Sequence, residues 1–146
     1  MLKEYIKNSM IYTGQKNVSL CIEYLEETLR DVTKETISFI NSKFIEPSAG
    51  KGSFYDVLKY YDIISYDIKP DISFDKCIRG DFLHIEDIQT NKKYRIFLGF
   101  PPVRKYDKFV KHSFDLGADV IAFIMPISAM NKKNLKVYTS NGYTVV

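Results

Sequence analysis

The sequence contains no tryptophan, and among its 146 residues it has only two cysteines, two histidines and five prolines. Cys21 and Cys77 stand alone, without a C-x-x-C spacing, which argues against a metal site and against a disulfide framework. Packed thiols in a reducing compartment are the expectation instead. His84 and His112 show no partner pattern, so both are expected on the surface or in the core rather than in catalysis. Long apolar runs are missing too. The longest, Val120 to Ile127, is far too short to span a bilayer. Met1-Leu2-Lys3-Glu4-Tyr5 lacks the apolar core of a secretory signal, so a soluble cytoplasmic protein is expected. No internal repeat or low-complexity tract interrupts the chain.

What is present describes an ordinary globular chain, with 45% hydrophobic and 27% charged residues and a net charge of +3 from 21 basic and 18 acidic side chains. That balance is compatible with a polyanionic partner without demanding one. A chain of this length fits one domain, able to bury roughly 70% of its unfolded surface. Residues 1–41 read as a helical extension. Val18, Ile22, Leu25 and Leu29 recur at helical steps, while Glu23, Glu26, Glu27 and Arg30 fall elsewhere. A second helical piece, Thr33 to Ile40, adds Ile37 and Ile40 to the apolar face. Residues 42–146 read as an α/β core. Its candidate strands are Phe44-Ile45, Ile63 to Ile68, Cys77-Ile78, Arg95 to Phe100 and Val120 to Pro126, with helices at Phe54 to Tyr60 and Tyr106 to Leu116. Near-continuous apolar strands separated by helices predict a Rossmann-like fold, a mostly parallel central sheet flanked by helices on both faces. Ligands of such sheets bind at the carboxyl ends of the strands, so the loops after Ile45, Ile68, Phe82 and Phe100 are expected to converge.

Four of those loops carry chemistry. The stretch Phe44-Ile45-Glu46-Pro47-Ser48-Ala49-Gly50-Lys51-Gly52-Ser53-Phe54 is a strand, a glycine loop and a helix start, a layout suited to a nucleotide-like ligand. Glu46 at the strand end repels a pyrophosphate and favours a cation such as a sulfonium or an amine. Asp67 ends the second strand at close to the ~20-residue spacing from Gly50 at which an acid grips ribose hydroxyls. Gly80-Asp81-Phe82 sets an acid beside an aromatic, a pair able to bond an exocyclic amine and contact a base. Phe97-Leu98-Gly99-Phe100-Pro101-Pro102-Val103 runs a strand into a double proline, a stiff loop with exposed carbonyls. For each of these alone, an ordinary turn or a solvated acid competes with the functional reading.

Taken in order, the elements resemble the adenine-N6 DNA methyltransferases of the class I S-adenosylmethionine-dependent fold. The likeness runs from about residue 12 to residue 131. Its most specific part is the Glu-Pro-Ser-Ala-Gly-x-Gly-x-Phe pattern at Glu46, Pro47, Ser48, Ala49, Gly50, Gly52 and Phe54. The resemblance implies S-adenosylmethionine as the cofactor. It also implies that Tyr12 and Thr13 contact the methionyl part, that the Glu46–Gly52 loop lies beneath it, and that Asp67 holds the ribose. Ile68 would press on the adenine, and Asp81 with Phe82 would address its amino edge. Val120 to Met130 resembles the fifth strand and the loop flanking the target base. The implied reaction is direct methyl transfer to an exocyclic amine, with no covalent enzyme intermediate, on a nucleic acid, DNA first. A duplex target would have to flip its base out.

The family's catalytic tetrapeptide is Asn or Asp, Pro, Pro and an aromatic; here it reads Phe100, Pro101, Pro102 and Val103. Phenylalanine cannot accept a hydrogen bond from the target amine, and valine offers little surface for a base. Two readings therefore stand: a methyltransferase of the adenine-N6 type, or a catalytically degenerate subunit that binds cofactor or a partner without turnover. A third, methylation of a small molecule or a protein amide, keeps the fold. Arg104, Lys105, Lys108 and Lys111 follow the double proline, either as a rim for phosphates or as an ordinary exposed helix face. The chain ends at Tyr143-Thr144-Val145-Val146, about where the family's sixth strand lies. A homodimer or heteromeric partner covering that sheet edge is therefore expected.

Overall fold

Five short runs of β-branched and aromatic residues form strands: β1 Ser42–Glu46, β2 Asp62–Asp67, β3 Cys77–Arg79, β4 Tyr94–Gly99 and β5 Val120–Phe123. The structure is a computed structural model and describes residues 15–32, 37–71 and 75–145. Among the described residues, four α-helices accompany the strands: α1 Gln15–Val32, α2 Ser53–Leu58, α3 Tyr106–Asp115 and α4 Lys132–Ser140. All strand pairs are parallel, in the order β3-β2-β1-β4-β5. Ile45 of the central strand sits in register with Ile64 on one side and Phe97 on the other.

Alternation along β1 and β4 sorts the core into two layers, because successive side chains of a strand face opposite ways. Phe44, Ile96 and Leu98 face Val18, Ile22, Leu25 and Leu29 of α1 and Phe54 and Leu58 of α2. Ile45 and Phe97 face the other way, onto Tyr66, Phe82, Ile88, Phe109 and Leu116. The sheet is thus covered on both faces, the α/β arrangement that the apolar strands predict. The helical step of α1 is obeyed, and its apolar stripe is part of the first layer rather than a separate body.

The expected second helical piece departs from the sequence reading. Residues 33–36 lie outside the described residues, and Phe39–Asn41 is a single 3-10 turn. Ser42 Oγ donates to Ser38 O at 2.7 Å and closes that turn. The turn directs Phe39 edge-on to Phe44, with ring centroids 5.0 Å apart. Ile40 is thrown outward and is 71% exposed, so only Ile37 joins the apolar layer as expected. The fifth strand stops at Phe123, although Ile124 N still donates to Gly99 O at 2.9 Å. Tyr143–Val145 add no strand. Instead Tyr143 Oη donates to the carbonyl of Ala118 and its ring packs on Phe114. The outer edge of β5 has no strand neighbour among the described residues.

Candidate functional site

β2 and β3 lie on one side of β1, and β4 and β5 on the other, so the chain reverses its direction of travel across the sheet between β1 and β4. That switch point opens a crevice at the strands' carboxyl ends, where ligands of such sheets bind. Glu46 ends β1 at that point. Its side chain is 1% exposed, and Ser65 Oγ of the neighbouring strand donates to its Oε2 at 2.7 Å. No cation pairs with Glu46 among the described residues. Burial pushes its carboxyl up to about 7; the Ser65 hydrogen bond pulls the other way, and Asp67 and Asp56 add to the rise. On the β4 side Gly99 has φ 140°, and a Cβ there would meet Glu46 Cγ and Pro47 Cδ at 3.7 Å. A glycine satisfies that backbone conformation without strain.

Hydrogen bonds tie the glycine loop to its neighbours. Ser48 Oγ donates to Phe100 O at 2.8 Å, bridging the loops after β1 and β4 across the switch point. Ala49 N donates to Tyr66 O at 2.9 Å. Gly50 N donates to Asp67 Oδ2 at 2.8 Å, while Lys69 N donates to Asp67 Oδ1 at 2.8 Å. Gly80 N reaches Asp67 O at 2.9 Å, which brings in the loop after β3. Asp67 therefore clamps the glycine loop, and each of its oxygens keeps a second lone pair. Gly52, at φ 81°, takes the left-handed turn that starts α2.

The other expected residues divide by exposure. Ile68 is 59% exposed and Val103 51%, and Pro102 is also on the surface. Pro47 and Pro101 are buried, and Phe54 belongs to the first core layer. Asp81 caps a 3-10 turn, accepting from Leu83 N at 3.0 Å. The Phe82 ring is 1% exposed and stacks on Phe109 at 5.4 Å, so it serves the second core layer. Tyr12 and Thr13 lie outside the described residues. Arg104 and Lys105 are exposed ahead of α3 and Lys108 is exposed within it, while Lys111 pairs with Asp115 at 2.7 Å. His84 is exposed, and His112 packs edge-on to Phe82.

Two participants escaped sequence reasoning. Ser65 donates a hydrogen bond to the Glu46 carboxylate, and its signal was a small polar residue inside the apolar run Ile63-Ile64-Ser65-Tyr66. Gly99 allows β4 to approach Glu46, and its signal was a glycine at a strand end. Cys77 feels the same acids: burial, then Asp67 and Glu46, push its thiol up to about 11. A hollow of about 590 Å³ lies at the opposite, amino-terminal end of the sheet, lined by Ile40, Val57, Tyr60, Tyr61, Asp62 and Lys92. No protein-family model matches the chain, and neither does any curated protein or solved structure with which it was compared. Among the described residues, no helix is long and apolar enough to cross a membrane.

Proposed function

We propose that this chain is a methyltransferase-like domain of the adenine-N6 nucleic-acid type that binds S-adenosylmethionine at the β1–β4 switch point. One observation carries the reading. The glycine loop and the double-proline loop, separate in sequence, are joined by the Ser48–Phe100 hydrogen bond directly beside a buried, unpaired acid at Glu46. The donor set fits a cationic ligand, since Glu46 and Asp67 raise the negative potential there. Bound S-adenosylmethionine would supply an electrophilic methyl group. Around it, Asp67 would receive ribose hydroxyls with its remaining lone pairs, Ile68 would cover the adenine, and Asp81 would face its amine. Tyr12 and Thr13 complete the proposed cofactor set. Pro101 and Pro102 would form a stiff wall for the acceptor, with Arg104, Lys105 and Lys108 gripping phosphates.

The degenerate alternative draws support from Phe100. Its side chain offers no acceptor, and its carbonyl already receives the Ser48 hydroxyl. On either reading a partner at the β5 edge, which has no strand neighbour among the described residues, is part of the proposal, as is a cytoplasmic setting, with Cys21 and Cys77 as free thiols. Calorimetry with S-adenosylmethionine tests the donor half: one saturable site, weakened by Asp67→Ala, is expected. Transfer of labelled methyl groups to DNA or RNA then separates enzyme from degenerate subunit. No heat of binding, or binding untouched by Asp67→Ala, overturns the cofactor assignment.

A further inference from the structure

Beyond the rim at Arg104, Lys105 and Lys108, a second basic segment leaves the same end of the sheet. β5 is the neighbour of β4, and Ile124 N donates to Gly99 O, so the segments after the two strands depart side by side. The one after β5 passes through a 3-10 turn, Ile127–Met130, into α4. Helices α3 and α4 then pack together, with Phe114 and Tyr138 ring centroids 6.2 Å apart and the field of Tyr106 and Asp107 reaching Tyr138. Lys132, Lys133 and Lys136 on α4 are all exposed, as are Arg104, Lys105 and Lys108. None of these cations pairs with a carboxylate among the described residues, and Asp107 is the one acid standing among them. Val103, beside Arg104, and Ile127, ahead of α4, are each 51% exposed, and Met130 is 43% exposed, so each basic segment carries apolar side chains at the surface.

We propose that Ile127–Met130 and the lysines of α4 form a second arm of the acceptor surface, which with Arg104, Lys105 and Lys108 takes a single-stranded polynucleotide. The inference deepens the nucleic-acid reading above and rests on it. Unpaired cations along two neighbouring segments match the spaced charges of a phosphate backbone. Exposed Ile127 and Met130, which precede the lysines of α4, match the flat apolar faces of unstacked bases, which a duplex keeps hidden. An acidic protein would satisfy the cations but leave those side chains without a reason to be bare. An anionic membrane surface would engage both, and is separated by experiment.

The test is fluorescence anisotropy of the whole chain with oligo(dT), with a duplex of equal length, and with vesicles containing anionic phosphatidylserine, as salt is varied. Wild-type protein should bind the single strand more tightly than the duplex. In Lys132→Glu/Lys133→Glu the slope of log affinity against log salt should shrink by about 1.4, because each single-strand phosphate contact contributes ~0.7. At ~0.1 M salt that corresponds to roughly a 25-fold loss. The pair lies in the first turn of α4, where acids favour the helix, so folding should survive. Lys59→Glu/Lys93→Glu makes the same charge change at the amino-terminal end of the sheet and should leave the slope unchanged. Ile127→Ser/Met130→Ser should weaken the single strand and spare the duplex. Equal losses from both lysine pairs, or a duplex bound as tightly as the single strand, overturns the inference while leaving the nucleic-acid reading intact. Binding to vesicles alone, or to none of the probes, overturns both.

Discussion

Glu46 offers the sharpest physical test, because its burial has a cost that pH switches on. Burial at 1% exposure, helped by nearby Asp67 and Asp56 and opposed by the Ser65 hydrogen bond, holds the carboxyl at about 7 against an ordinary 4.5. Below pH 4.5 the group is protonated both folded and unfolded, and it contributes no pH dependence. Between about 4.5 and 7 the unfolded chain has released a proton that the folded chain still holds, so stability falls as pH rises. Above about 7 both states are ionised and the loss levels off. A shift of this size corresponds to about 3 kcal/mol, a large share of the 5–15 kcal/mol typical of a whole domain.

Glu46→Gln removes the titration while keeping an oxygen for Ser65. Its amide N–H groups bring a penalty of ~1–3 kcal/mol if they find no acceptor, but that penalty does not vary with pH. The robust quantity is therefore the difference between wild type and variant, followed from pH 4.5 to pH 8.5 by urea unfolding. The variant should gain about 3 kcal/mol relative to wild type over that range, or roughly 6–12 °C in melting temperature. Every other titrating group is shared and cancels. Parallel stability curves for the two proteins would refute the argument, because they would mean that Glu46 ionises as freely folded as unfolded.

Gly99→Ala should cost about 1–3 kcal/mol in urea unfolding, through its φ of 140° rather than through crowding, since the added carbon would meet Glu46 and Pro47 at an ordinary 3.7 Å. A cost under about 0.5 kcal/mol would show that the strand end relaxes freely. Phe100→Asn should raise methyl transfer on the order of 10²–10³-fold if the missing polar group limits the reaction, with S-adenosylmethionine affinity unchanged. Affinity preserved without any gain in transfer would mean that Phe100 is not what holds activity back.

The parts of this molecule legible in the sequence are those that backbone chemistry forces. Paired apolar residues such as Phe44-Ile45 and Ile96-Phe97 can be satisfied only between two covered faces, so the parallel sheet could be read directly. Gly50 and Gly52 mark turns that other residues enter at a cost, so the loop could be read too. Side-chain direction could not. Phe39 and Ile40 are both apolar neighbours, and only the Ser38–Ser42 closure decides which one turns inward. Phe82 looked like a binding aromatic beside Asp81, but apolar burial against Phe109 claims its ring. Asp67 reads as an open acceptor in one dimension; in three it already holds Gly50 and Lys69.

That last contrast bears on how the proposed site would work. Asp67 is hydrogen-bonded twice to backbone, so it shapes the loop whether or not a ligand is present. Glu46 is not needed for shape in the same way: Ser65 could satisfy a neutral partner equally well, and an amide or an alcohol would avoid the cost that ionisation brings near neutral pH. A buried acid without a cationic neighbour is a liability until a positive charge arrives beside it. On the proposed reading that charge is the sulfonium of the methyl donor. Its binding would pull Glu46 toward the ionised form, release a proton near neutral pH, and return part of the stability that burial removed.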